Sequence, residues 1–138
     1  MRFASLAILA LPLAMLGSGA IAGTVGATAS SRSQAAVDRL LGDKVAGTPV
    51  SSISRFEAQR MSVYDGFVLF RVNRDLVYRN DLDGCSILRE DDILQLNLYG
   101  TARLSQGDIA QIISRAGMFG KGACPLGDFV PYRTRVDG

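Results

Sequence analysis

The sequence contains no histidine, and that absence excludes more chemistry than any residue present suggests. Ser-His-Asp and Cys-His devices, a histidine general base and the usual histidine-bearing zinc and iron sites cannot be built from this chain alone. Lysine is almost as scarce. Lys44 and Lys121 are the only two, and neither stands in an S-x-x-K arrangement, so a lysine-assisted serine has no foothold. What remains for catalysis is a pair of carboxylates held about 5–10 Å apart in a cleft, a separation that sequence does not give. No catalytic or cofactor motif is present, and the chain reads as non-enzymatic with no cofactor.

Cysteine is limited to Cys85 and Cys124, and neither lies in a C-x-x-C pair. A reactive thiol wants such close spacing or a neighbouring base that lowers its pKa. An even pair in an exported chain of this size is most simply a disulfide, closing a ring of about 40 residues.

The expectation of export comes from the first thirty residues, "MRFASLAILALPLAMLGSGAIAGTVGATAS". One cation, Arg2, precedes an apolar run from Phe3 to Leu16, and a small-residue tail follows. This is the layout of a signal peptide. The run is about 14 residues long and holds Pro12, short of the roughly 20 apolar residues of a membrane-spanning helix. An uncleaved anchor is the competing reading. Cleavage after Ala22 leaves residues 23–138 as one domain, and a second small-x-small site ends at Ala29. No cysteine lies in or just after the apolar run, which closes the lipoprotein route. The expected location is the periplasm or the exterior, with no membrane span after cleavage.

Charge of one sign is also missing. Without the leader's Arg2 the balance is fourteen basic residues against thirteen acidic. That is too even for a nucleic-acid or membrane-surface footprint. Thirteen of the fifteen basic residues are arginine, read here as solvated residues scattered along strands.

The remaining patterns predict a mainly β domain. Residues 33–43, "SQAAVDRLLGD", carry a narrow apolar stripe ended by Gly42 and opened by Ser31 or Ser33, one short N-terminal helix. Met61–Tyr64, the turn pair Asp65-Gly66 and "FVLFRV" predict a hairpin, extended into a meander by Leu76–Arg79. The run Phe67–Phe70, apolar on both faces, predicts a strand buried on two sides. "DILQLNLYG" alternates Leu94, Leu96 and Leu98 with Gln95, Asn97 and Tyr99, a half-buried strand. In "LSQGDIAQIISRAG" the local signals conflict. Ser105 and Asp108 resemble a capping box, whereas Gly107-Asp108 is a turn pair and the isoleucines favour a strand; the strand is preferred. A last strand is expected over Leu126–Tyr132, with Pro131 confined to an edge or terminus. Together these predict a small antiparallel barrel or sandwich of five to seven strands.

One acidic stretch, Arg79–Glu90 ("RNDLDGCSILRE"), matches a calcium-loop pattern at Asp81, Asp83, Gly84 and Glu90. Its first ligand position is Arg79, a cation where the site needs a carboxylate, and its flanks read as strands. A polar turn is the preferred reading, with weak calcium binding through Asp81, Asp83 and Glu90 as the alternative. The run Glu90-Asp91-Asp92 reads as a solvated turn.

The succession of Cys85 with Leu88, Gly107-Asp108 with Ile109, and Cys124 with Leu126 resembles a family of small exported bacterial proteins classed as a domain of unknown function. The likeness spans roughly residues 45–132. Such proteins often carry a further cysteine, near the position of Ser52 here or near Leu104-Ser105-Gln106, and this chain has none there. The resemblance implies an exported, mostly β domain with a disulfide and supplies no activity. The functional expectation is therefore an exported non-enzymatic module acting through contacts with an envelope or secreted protein. A small-ligand binder and a carboxylate-based hydrolase are the alternatives.

Overall fold

A computed structural model describes residues 27–82, 84–98 and 100–136. The leader, Asp83 and Tyr99 lie outside the described residues. Among the described residues one helix, α1 (Ala27–Leu41), is followed by ten strands: β1 (Lys44–Ala46), β2 (Ser52–Ser54), β3 (Met61–Tyr64), β4 (Phe67–Arg71), β5 (Leu76–Asp81), β6 (Ile93–Leu96), β7 (Arg103–Ser105), β8 (Ile109–Ile113), β9 (Gly120–Pro125) and β10 (Phe129–Thr134). The mainly β, antiparallel reading with one short N-terminal helix holds. The strands do not close into a barrel, however, and exceed the five to seven expected. They form three open sheets, ordered β1-β10-β5-β4-β3, β2-β7 and β6-β8-β9.

The apolar run of β4 explains the layering. Successive side chains of a strand point to opposite faces, and Phe67 and Leu69 join Val77 and Leu41 on one side of the large sheet. Val68 and Phe70 join the main core on the other, with Phe129 and with residues of the two small sheets such as Ile53, Leu104, Leu94 and Ile112. Helix α1 covers the first face through Leu41 and, less deeply, Val37 and Leu40. The helix starts earlier than its serines suggest. Ser33 is not a cap but a buried residue inside it, whose hydroxyl accepts the Asp65 N–H. Its end is as expected. Gly42 N–H bonds the Asp38 carbonyl, and a Cβ on Gly42 would stand 2.4 Å from that oxygen.

The hairpin forms where the sequence places it, with Tyr64 opposite Phe67 across Asp65-Gly66 and Gly66 at φ 83°. The disputed segment is strand β8, as preferred. Its capping-box contact is nevertheless real: the Asp108 carboxylate accepts the Ser105 N–H. Gly107, at φ 86°, turns the chain instead of starting a helix, and Gly107 and Asp108 bond Leu126. The last strand is displaced from its expected span, running from Phe129 to Thr134, with Leu126 buried in the connection before it. Pro131 stands second from the edge of the sheet. Continuing the Ala46–Tyr132 register places it opposite Gly47, where the Gly47 N–H still bonds the Pro131 carbonyl and the return bond is impossible. Strand β1 stops there.

Candidate functional site

The disulfide is formed. Cys85 and Cys124 are bonded, their Cα atoms 5.7 Å apart, and both are buried in the main core. Cys85 sits in the turn after β5, and Cys124 lies within β9, a strand that precedes the expected last one. The bond therefore fixes the meander to the three-stranded sheet. A disulfide is a bond of oxidising compartments. Among the described residues no helix is long and apolar enough to cross a membrane.

The acidic residues named from sequence do different things. The Arg79 guanidinium bonds both oxygens of Asp81, at 3.1 and 2.8 Å, and lies 4.1 Å from the centre of the Phe67 ring. Calcium would first have to detach Asp81 from Arg79. Glu90 donates its backbone N–H to the Asp65 carboxylate, and Asp83 lies outside the described residues. Among the described residues no three His, Cys, Asp or Glu side chains are grouped to hold a metal ion. Asp92, expected in a solvated turn, is instead buried. It accepts the Arg89 N–H and pairs with Lys121 across 29 positions of sequence.

Acids elsewhere serve backbone donors in the same way. Glu57 accepts the Ser54 N–H while the Ser54 hydroxyl accepts the Glu57 N–H, a capping box closing a single turn after β2. Tyr78 donates its hydroxyl to the other Glu57 oxygen. Burial alone pushes the Glu57 carboxyl up, but the bonds from Ser54 and Tyr78 outweigh it and hold the group below its usual range. Burial, joined by the Glu57 charge, pushes the Tyr78 phenol up.

A different cluster is left without such partners. Between the last turn of α1 and the open end of the β3–β4 hairpin lies a cleft of about 300 Å³ rimmed by Arg39, Arg60 and Arg71. Its apolar wall includes Leu40, Leu69 and Val77, and no acidic residue lines it. The register explains the rim. Met61 faces Phe70, so the next pair outward is Arg60 and Arg71, joined by the Arg71 N–H to Arg60 carbonyl bond at 2.9 Å. Arg71 follows Phe67 and Leu69 on the helix-facing side of β4, and Arg39 arrives from the helix. An adjoining cleft of about 390 Å³ shares Arg39 and Arg71 and adds Arg74. That second cleft holds Asp38 and Asp43, but Asp38 accepts the Gln34 amide and Asp43 is paired with Lys44, whose hydrogen bond lowers the Asp43 pKa. The ion pairs among the described residues are Lys44–Asp43, Arg79–Asp81 and Lys121–Asp92, and none reaches the four arginines.

Like charges facing one another across a β ladder destabilise it. Arg60 and Arg71 do so with no acid between them, a local conflict of the kind that marks functional sites. These arginines are exposed, as the solvated reading expects, but they are gathered and not scattered. The signal was available: a two-residue turn at Asp65-Gly66 sets Arg60 opposite Arg71 by counting alone. Arg39 joins them only through the packing of α1.

No family model, curated protein or solved structure matches the chain.

Proposed function

We propose that the protein is an exported, non-enzymatic binding module of the periplasm or cell exterior, which contacts an anionic envelope component or secreted partner through the arginine-rimmed cleft. The observation that carries this reading is the cleft itself: three guanidinium groups on a partly apolar wall, with no acid lining it. Guanidinium groups are the usual recognition elements for carboxylate and phosphate, because their planar fork of donors matches those anions. The Cys85–Cys124 bond suits an oxidising compartment. The half-buried and buried acids Glu57, Asp92 and Asp108 are occupied by backbone N–H groups, which leaves them poorly placed as proton donors to a substrate. The likeness to small exported bacterial domains belongs to the same proposal and rests on the short motifs around Cys85, Gly107-Asp108 and Cys124.

Sedimentation with washed envelope fragments tests it. At low salt the protein should pellet with the fragments, and a variant carrying Arg39→Ala, Arg60→Ala and Arg71→Ala should stay in the supernatant. Equal pelleting of the two, with both folded by circular dichroism, overturns the reading.

A further inference from the structure

We infer that the anion this cleft accepts is a phosphate-bearing group of two or more negative charges, carried on a ligand with an apolar portion. The inference rests on the proposal that the cleft is the contact site and names what it contacts. The first argument is charge. Arg39, Arg60 and Arg71 bring three positive charges to one small cleft that no acid lines. A single carboxylate compensates one of them and leaves Arg60 and Arg71 still repelling each other across the ladder. A phosphate monoester carries about −1.5 to −2 at neutral pH, and its three oxygens can engage more than one guanidinium at once.

The second argument is the arrangement of donors. Arg60, Ser62 and Tyr64 alternate along the chain, so their side chains share the helix-facing side of β3, and all three line the cleft. Two hydroxyl-bearing residues therefore share the cleft with the guanidinium rim, Tyr64 with its ring stacked on Phe67, which suits an anion with several oxygens around one centre. The third argument is the wall. Leu40 and Tyr64, partly buried on the helix-facing side, stand beside the rim over the fully buried Leu69 and Val77. Such a surface offers nothing to a bare ion and covers an apolar substituent next to the phosphate. Arg74 lines the adjoining cleft, which shares Arg39 and Arg71 with this one.

Two sources share this chemistry, a lipid phosphate headgroup and a free phosphate compound, and the test separates them. Purified protein is titrated with inorganic pyrophosphate and with tricarballylate, a tricarboxylate of comparable charge, and backbone amide shifts are followed by NMR. Flotation with phosphatidylcholine vesicles, with and without phosphatidic acid, forms the other arm. Pyrophosphate should bind at least about tenfold more tightly than tricarballylate, shift the amides around Ser62 and Tyr64, and lose about tenfold in affinity in Arg71→Lys, which keeps the charge but not the fork. Flotation with phosphatidic acid, competed by pyrophosphate, assigns the lipid source; pyrophosphate binding without flotation assigns a free phosphate. Tricarballylate binding as tightly as pyrophosphate, an unaltered Arg71→Lys, or shifts confined to another part of the molecule overturns the inference. If the arginines are needed for envelope pelleting but neither pyrophosphate nor phosphatidic acid binds, the phosphate inference falls and the binding-module reading stands. If the triple variant pellets like the unaltered protein, the earlier reading has failed instead.

Discussion

Single side chains fix the loops of this small domain, and Asn80 is the clearest case. It is fully buried on β5, and its amide donates to the Gly127 carbonyl at 2.8 Å while its carbonyl oxygen accepts the Gly127 N–H at 3.0 Å. One side chain thus satisfies both polar groups of a buried residue in the connection between β9 and β10. Asn80→Ala strands both, and an unsatisfied buried group costs about 1–3 kcal/mol; urea unfolding should show a loss of about 3 kcal/mol. Nothing in the sequence distinguishes Asn80 from an exposed polar residue, because its partner lies 47 positions away. Glu57 acts at the same scale, with a pH signature. A folded-state pKa held below the ordinary one contributes stability above the ordinary carboxylate range, and that contribution is lost as pH falls through the lowered value. Glu57→Gln should therefore cost up to about 1 kcal/mol near neutral pH, solvent screening at this half-buried site reducing the charged bonds' contribution, and the gap from the unaltered protein should close in acid. Tyr78 works in the opposite sense. Its raised pKa contributes below the ordinary phenol range and is lost as pH rises through the raised value.

Among the elements, turns repeat one device: a carboxylate three residues on accepts a backbone N–H, at Ser54–Glu57, Arg89–Asp92 and Ser105–Asp108. The same contact opens helices elsewhere, which is why the Ser105–Asp108 signal was ambiguous. At Asp108 the positive φ of Gly107 and the bonds to Leu126 decided for a turn and a strand. The disulfide joins two elements that no strand pairing links directly. Its ring, closed by residues 39 apart in sequence, is worth about 4 kcal/mol in the loop-entropy model. Cys85→Ser with Cys124→Ser should lower unfolding free energy by up to that amount, and non-reducing mass spectrometry should find the unaltered chain free of thiols. The β3–β4 hairpin carries the opposite kind of term. Arg71→Thr removes the like-charge pair and adds a β-branched residue, so it should stabilise the fold by about 0.5 kcal/mol in urea. The same variant should bind envelope fragments less well, trading function for stability.

Across the whole molecule, charge is nearly balanced in number and uneven in placement. Ion pairs absorb Asp43, Asp81 and Asp92, while Arg39, Arg60, Arg71 and Arg74 collect beside the helix outside those pairs, Arg74 near enough to Asp43 to help lower its pKa. Binding through this cleft should weaken steeply as salt is raised, because exposed charges are screened within about 10 Å at 0.1 M ionic strength. Envelope pelleting that is unchanged from low to high salt would contradict a contact made through these arginines.

The sequence by itself determined what local physics can carry. The all-apolar run marked β4 and the period-two run marked β6, turn residues led into β5 and with the isoleucines favoured a strand at β8, Asp65-Gly66 set the hairpin and its register, Gly42 ended the helix, and two cysteines in a histidine-free chain implied the disulfide. Each of these is written in neighbouring residues or in simple elimination. Only the tertiary structure decided whether the strands close, which face α1 covers, that Pro131 can occupy an inner strand where β1 stops, and that Arg39 meets Arg60 and Arg71. Those outcomes depend on residues far apart in the chain competing for one core, and the energy of burying Leu69 and Val77 under the helix is what brings the arginines together.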